Sequence, residues 1–225
     1  MLVGHLGAGL AAKAVEPRLN LGTLFAAALF LDIIFWSLLL AGIEAAHVPA
    51  DFASRHYLTF TFPYSHSLVG AVLLSLLFAL AWAAWRARDK AGERILLSGA
   101  VIVALTVFSH WVLDWLVHVP EMPLAPGGAA TGLGLWQHQP AAIILELLLA
   151  AIALAAFLAR ARMSPWRKLA VCAVTVLLGG LTAMGAFAAT PPPAADIFAA
   201  SSLGLIALAV GVAAWADARL RSAGI

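Results

Sequence analysis

The stretch "FSHWVLDWLVH", residues 108–118, carries His110, Asp114 and His118 at four-residue spacing. Residues i and i+4 of an α-helix share a face, so this spacing predicts an acid between two imidazoles on one stripe. Neutral imidazole and carboxylate are ligands that suit zinc, iron or manganese. His110 and Asp114 can therefore reach one ion, with His118 a turn further on. Three such ligands plus an open position make a catalytic site, and a closed shell makes a structural one. Four more ionisable residues stand in apolar sequence: His5, Asp32, His66 and Glu146. The chemistry they suggest is metal-assisted hydrolysis, in which a dication lowers the pKa of a bound water.

The elements that would position these residues are membrane helices. The 225-residue chain is 64% hydrophobic and 11% charged, against about 25% charged in a soluble domain. Its mean hydropathy is +0.99. A bilayer-spanning helix needs ~20 mostly apolar residues. Six segments qualify, near 21–42, 64–87, 94–118, 139–160, 166–189 and 195–218. Residues 2–15 form a shorter apolar stretch, expected to be a half-spanning helix. Ser164-Pro165 reads as a capping residue followed by Pro at a helix start. Gly179-Gly180 suits close helix approach. The expected fold is thus all-α, a polytopic membrane helix bundle of six transmembrane helices plus the short N-terminal one, in a single domain over 1–225.

Lys and Arg set the expected orientation. Lys13 and Arg18, then Arg86, Arg88, Lys90 and Arg94, then Arg160, Arg162, Arg167 and Lys168, then Arg219 and Arg221 lie on alternate connections. The intervening loops 43–63, 119–138 and 190–195 hold only Arg55 between them. The positive-inside rule places both termini in the cytoplasm. Trp85, Trp166 and Trp215 then mark the inner interface, and Trp111, Trp115 and Trp136 the outer one. The net charge of +2 is scattered, which argues against nucleic-acid binding. The single cysteine, Cys172, excludes an internal disulfide and a Cys-rich zinc site.

An ionisable group inside a span costs several kcal/mol and is a functional candidate by default. From the ~1.5 Å rise per residue, Asp32 lies ~15 Å below the outer end of its span, His110 and Glu146 ~10–12 Å, and Asp114 ~6 Å. His66 opens its helix, and His5 lies in the short first one. Six polar groups from five helices thus fall at the midplane or in the outer half. Each residue alone has a plainer reading. His5 could bond a neighbouring helix, and Asp32 could be a counter-ion or proton relay. His118 could sit among headgroups. His47, His56 and His138 read as solvated loop residues. Glu146 could be a ligand, a partner to a ligating His, or a general base. Together they point to a site.

Three pieces resemble the bacterial inner-membrane family called membrane-bound metal-dependent hydrolases: "GHLGAGLA" near the N-terminus, "SHS" at 65–67 and "SHWVLD" at 109–114. Asp32 in "LFLDIIFW" matches the acid that family places after its second hydrophobic segment. The resemblance implies His5, Asp32, His66, His110 and Asp114 as metal ligands. Ile34 stands where the family often has a second Asp, and Arg55-His56 reverses the family's His-Arg order, so fewer ligands remain.

The leading expectation is a hydrolase holding a divalent metal, zinc first. His66, His110 and Asp114 would ligate, with Asp32 or His5. Asp32 or Glu146 would serve as general base, and Ser65 and Ser67 would bond substrate. The substrate would be an ester, phosphoester or amide, lipid-like because the site is in the bilayer. Two alternatives use the same residues: a cation or proton transporter or channel, and a scaffold with a structural metal serving a protein partner.

Overall fold

The computed structural model describes residues 1–88, 93–188, 190–192 and 194–218. Lys90, Arg219, Arg221 and the Arg94 side chain, which enter the charge pattern above, lie outside that description. In chain order the elements are α1 (Leu2–Val15), α2 (Leu21–Ala28), α3 (Phe30–Leu40), β1 (Ala45–His47), the single turn α4 (Phe52–Arg55), β2 (Thr59–Thr61), α5 (Leu68–Ala87), α6 (Glu93–Val117), β3 (Met122–Pro123) and β4 (Ala130–Thr131). A 3₁₀ turn at Leu135–His138 then leads into α7 (Gln139–Arg160), α8 (Pro165–Ala186) and α9 (Ala195–Ala216).

The chain is a membrane protein by its helices. The five helices α5 to α9 are each long and apolar enough to cross a bilayer. Their outward faces carry exposed Leu77, Leu80, Ile152, Leu169 and Val176, a dense apolar surface that water would not tolerate. The sixth expected span is broken: α2 and α3 meet at Leu29 and bend by 54°. Leu29 leaves helical geometry there, with φ −105° and ψ 9°. Asp32 consequently lies in the first turn of α3, where the positive end of the helix dipole favours a carboxylate. The short helix predicted over 2–15 forms and packs against α2, α6, α7 and α8.

Small residues allow those contacts. A side chain at Gly7 would press on the backbone of Ala150 in α7, and one at Gly22 would overlap Ala214 in α9. Gly179 faces Leu147 of α7, whereas Gly180 faces open space. Caps follow local chemistry: the Asn20 side chain accepts from Gly22 N–H and Thr23 N–H, and Ser67 Oγ accepts from Gly70 N–H. Pro165 starts α8 as expected, but Ser164 caps through its backbone carbonyl, to Arg167 and Lys168 N–H. Its hydroxyl is buried without a partner among the described residues.

At the far end of α1, Lys13 is buried and donates to Pro17 O, Leu19 O and Asp217 Oδ2, the last at 2.6 Å. At the other end of the bundle two loops interlock. The β1–β2 ladder pairs Ala45 with Thr61, and Phe60 N–H donates to Glu121 Oε2 from the following loop at 2.8 Å. These loops roof the region where α1, α3, α5 and α6 bring their polar side chains.

Candidate metal centre

Asp114 stands at the centre. Its Oδ2 lies 3.2 Å from His110 Nε2, 3.4 Å from His66 Nε2 and 3.7 Å from His118 Nε2. The His66 and His110 Nε2 atoms are 3.3 Å apart. Asp32 Oδ1 lies 3.7 Å from His110 Nε2 and 3.9 Å from His66 Nε2. Zinc bonds N and O ligands at about 2.0–2.2 Å in tetrahedral arrays, which separates neighbouring ligand atoms by about 3.3–3.6 Å. The spacings among His66, His110 and Asp114, 3.2–3.4 Å, are close to that size, and those to Asp32 and His118, 3.7–3.9 Å, are longer.

The other ring nitrogens decide what these Nε2 atoms present. His110 Nδ1 lies 2.8 Å from the carbonyl of Ala28. A carbonyl only accepts, so Nδ1 carries the hydrogen, and in the neutral imidazole Nε2 is left with a lone pair. The α2–α3 break lies one residue beyond Ala28, so the distortion of that span and the seating of His110 are adjacent in the chain. Ser65 donates its hydroxyl to Glu44 Oε2 at 2.6 Å, leaving its oxygen to accept from His66 Nδ1 at 2.8 Å. Glu44 is itself held by the N–H groups of Tyr64 and Ser65, each at 2.9 Å. His118 Nδ1 lies 2.7 Å from Glu121 Oε1. Three imidazoles thus have Nδ1–H anchored, two of them through a carboxylate, the arrangement that orients metal-bound histidines. With both imidazoles neutral, two lone pairs 3.3 Å apart beside two carboxylates repel one another. A cation between them removes that conflict.

His5 differs. Its Nε2 lies 3.0 Å from Asp114 Oδ1, on the other side of the carboxylate, and its ring stacks on His110 with centroids 3.6 Å apart. Its Nδ1 is buried with no partner among the described residues. The α-amino group of Met1 also reaches Asp114 Oδ1, at 3.2 Å. The two oxygens of Asp114 therefore face different groups: Oδ1 faces α1, and Oδ2 faces the three anchored histidines. Two sets of ligand atoms lie close enough to share an ion: His5, His110 and Asp114, and Asp32, His66 and His110.

Glu146 stands apart from the imidazoles. Its Oε1 accepts from Val3 and Gly4 N–H at 2.9 and 3.2 Å, capping the start of α1. It also lines a cavity of ≈ 370 Å³, shared with Asp32, His66, Asp114 and His118. Ser65 and Ser67, expected to meet substrate, are already engaged with Glu44 and His66 and with the α5 N-terminus. Trp111, expected at the interface, is buried, and its indole N–H donates to His66 O at 3.0 Å. Trp136 packs on His118, ring centroids 4.1 Å apart. His56, expected to be solvated, is half-buried, donates from Nδ1 to Ala188 O at 2.8 Å and lines the cavity. His47 and His138 are exposed.

Glu44 and Glu121 are the functional candidates that spacing arguments pass over. Each is an acid in an otherwise weakly charged loop beside a candidate ligand, and that is the only signal they give. Comparison with known protein families, with curated proteins and with solved structures finds no match for this chain.

Proposed function

We propose that this protein is a membrane-embedded hydrolase whose divalent metal, zinc by ligand type, is held by His66, His110 and Asp114, with a position left open for water beside Asp32 and His118. One observation carries the reading: His66 Nε2, His110 Nε2 and Asp114 Oδ2 lie 3.2–3.4 Å from one another, close to the ligand spacing around one ion, while both imidazoles are anchored at Nδ1. When bound, such an ion polarises a substrate oxygen and acidifies water. The chain's own residues do the rest. Glu44 through Ser65, the Ala28 carbonyl and Glu121 fix the imidazoles. His5 donates to Asp114 Oδ1 and leaves Oδ2 for the ion. Asp32, the more exposed carboxylate of the two, faces the cavity and serves as general base. Glu146 holds the start of α1 and, with it, His5.

The resemblance of the short motifs to those of membrane-bound metal-dependent hydrolases supports the same assignment. The alternation of Lys and Arg between loops supports an inner-membrane location with both termini cytoplasmic and the site in the outer half. A closed floor favours hydrolysis over transport. About one turn or more beyond the cluster, Leu10, Leu24 and Phe25 are fully buried, and the buried Thr106 hydroxyl is spent on Ile102 O of its own helix, so the polar path ends in packed side chains.

The test is purified protein assayed on ester and phosphoester substrates, before and after chelation, beside Asp114→Ala. Turnover that vanishes with the metal and with Asp114 supports the reading. Turnover that survives both, or Asp114→Ala with full metal content, overturns it.

A further inference from the structure

The cavity has two unlike walls. Asp32, His66, Asp114 and His118 form one, and α8 and α9 build the other with Leu181, Gly185, Phe198, Leu205 and Ile206, interrupted by the hydroxyls of Thr182 and Ser202. Leu181 and Gly185 line the cavity and are exposed. The seam between α8 and α9 is therefore a thin wall with the bilayer beyond it. A side chain added at Gly185 would meet nothing within 4 Å among the described residues, so there is room beside α8 at that point. From Phe198 to Ile206 the mostly apolar wall, with Ser202 at its middle, runs ~12 Å along α9 by the helical rise. A small water-soluble ester needs only the polar wall. An apolar wall of this length facing a few converging polar groups fits a ligand with a chain and a head.

We propose that the cavity binds a lipid-like amphiphile entering from the bilayer between α8 and α9. Its ester or phosphoester head lies against His66 and Asp114, and one acyl chain lies along Phe198, Leu205 and Ile206. The head's fate rests on the hydrolase reading. The chain's place rests on the apolar wall alone.

The experiment measures affinity for n-alkyl phosphates, from ethyl to decyl, on metal-loaded wild type, Gly185→Phe and Ser202→Phe held in amphipol. Ser202 lines the cavity from α9, so the two variants fill the chain's place from opposite helices. Metal content is recorded for each. In wild type, affinity should rise about fourfold per methylene until the wall is covered. Both variants should keep wild-type metal content and lose at least tenfold in decyl phosphate affinity. A wild type indifferent to chain length, or variants with the wild-type slope, overturns the proposal. A chain-length slope in a protein that hydrolyses nothing removes the hydrolase reading and leaves the chain site standing. Turnover of short esters with no slope does the reverse.

Discussion

Glu44→Gln replaces a buried carboxylate by its amide and leaves the shape of the side chain intact. Glu44 Oε1 accepts two backbone N–H bonds, and Oε2 accepts the Ser65 hydroxyl at 2.6 Å. The carbonyl of the new amide can serve the two N–H groups only by turning its NH₂ toward Ser65. Ser65 must then accept, and its own hydrogen turns to His66 Nδ1, 2.8 Å away. That nitrogen becomes an acceptor, the imidazole proton moves to Nε2, and the lone pair aimed at His110 and Asp114 is lost. The opposite amide orientation sets NH₂ against two N–H donors. Either outcome forfeits about one charge-assisted hydrogen bond, worth ~1.5–3 kcal/mol. Partners of metal-bound histidines cost about 10- to 100-fold in metal affinity when removed, or ~1.4–2.8 kcal/mol, so two routes give the same size. Competitive zinc titration against a chelator measures it, and histidine ¹⁵N shifts report the His66 tautomer. Metal-free melting temperatures of wild type and variant separate a site effect from a folding effect. Wild-type zinc affinity with His66 still protonated on Nδ1 would refute the reasoning.

Glu121→Gln should weaken metal binding less than Glu44→Gln, by up to about tenfold, because His118 Nε2 is the most distant of the three from Asp114; the same titration reads it. Saturating zinc at about 100 times its Kd should stabilise the fold by ~2.7 kcal/mol, seen as a higher melting temperature that a chelator reverses. Lys13→Met removes the ammonium partner of the partly buried Asp217 carboxylate, which keeps the Leu21 N–H, and should cost ~1–3 kcal/mol; thermal unfolding checks it, and adding Asp217→Asn should recover part of the loss. Gly22→Ala forces a methyl group onto Ala214 where α2 crosses α9 and should cost ~1–3 kcal/mol, with metal content per folded protein unchanged.

The spans were legible because a bilayer leaves only hydrophobic length to read. α7 begins and ends where its apolar run does, and α1 occupies the residues its composition predicts. The site was partly legible for the same reason: in a sequence this apolar, Asp32, His66, His110 and Asp114 stand out, and four-residue spacing puts two of them on one face. The rest depends on tertiary geometry. Nothing between Ala28 and Asp32 announces the 54° bend, since "ALFLD" has no Pro or Gly. Ser65 reads as a substrate contact until Glu44, 21 residues earlier, is seen to take its hydroxyl. Trp111 has the composition of an interface anchor, but its position on α6 turns the indole toward the His66 carbonyl. Glu146 is conspicuous as a lone acid among leucines. Its capping of α1 follows only from the packing of α1 on α7, which small residues such as Gly7 and Ala150 permit.

Convergence of imidazole and carboxylate groups on one ion is most directly tested by X-ray absorption on metal-replete, purified protein. The account predicts a tightly bound dication with at least two imidazole ligands at about 2.0–2.1 Å, one or two oxygen ligands at about 2.0–2.2 Å, and loss of an imidazole contribution in His110→Ala. A protein that retains no metal after supplementation, or holds one whose surroundings contain no imidazole, would contradict it.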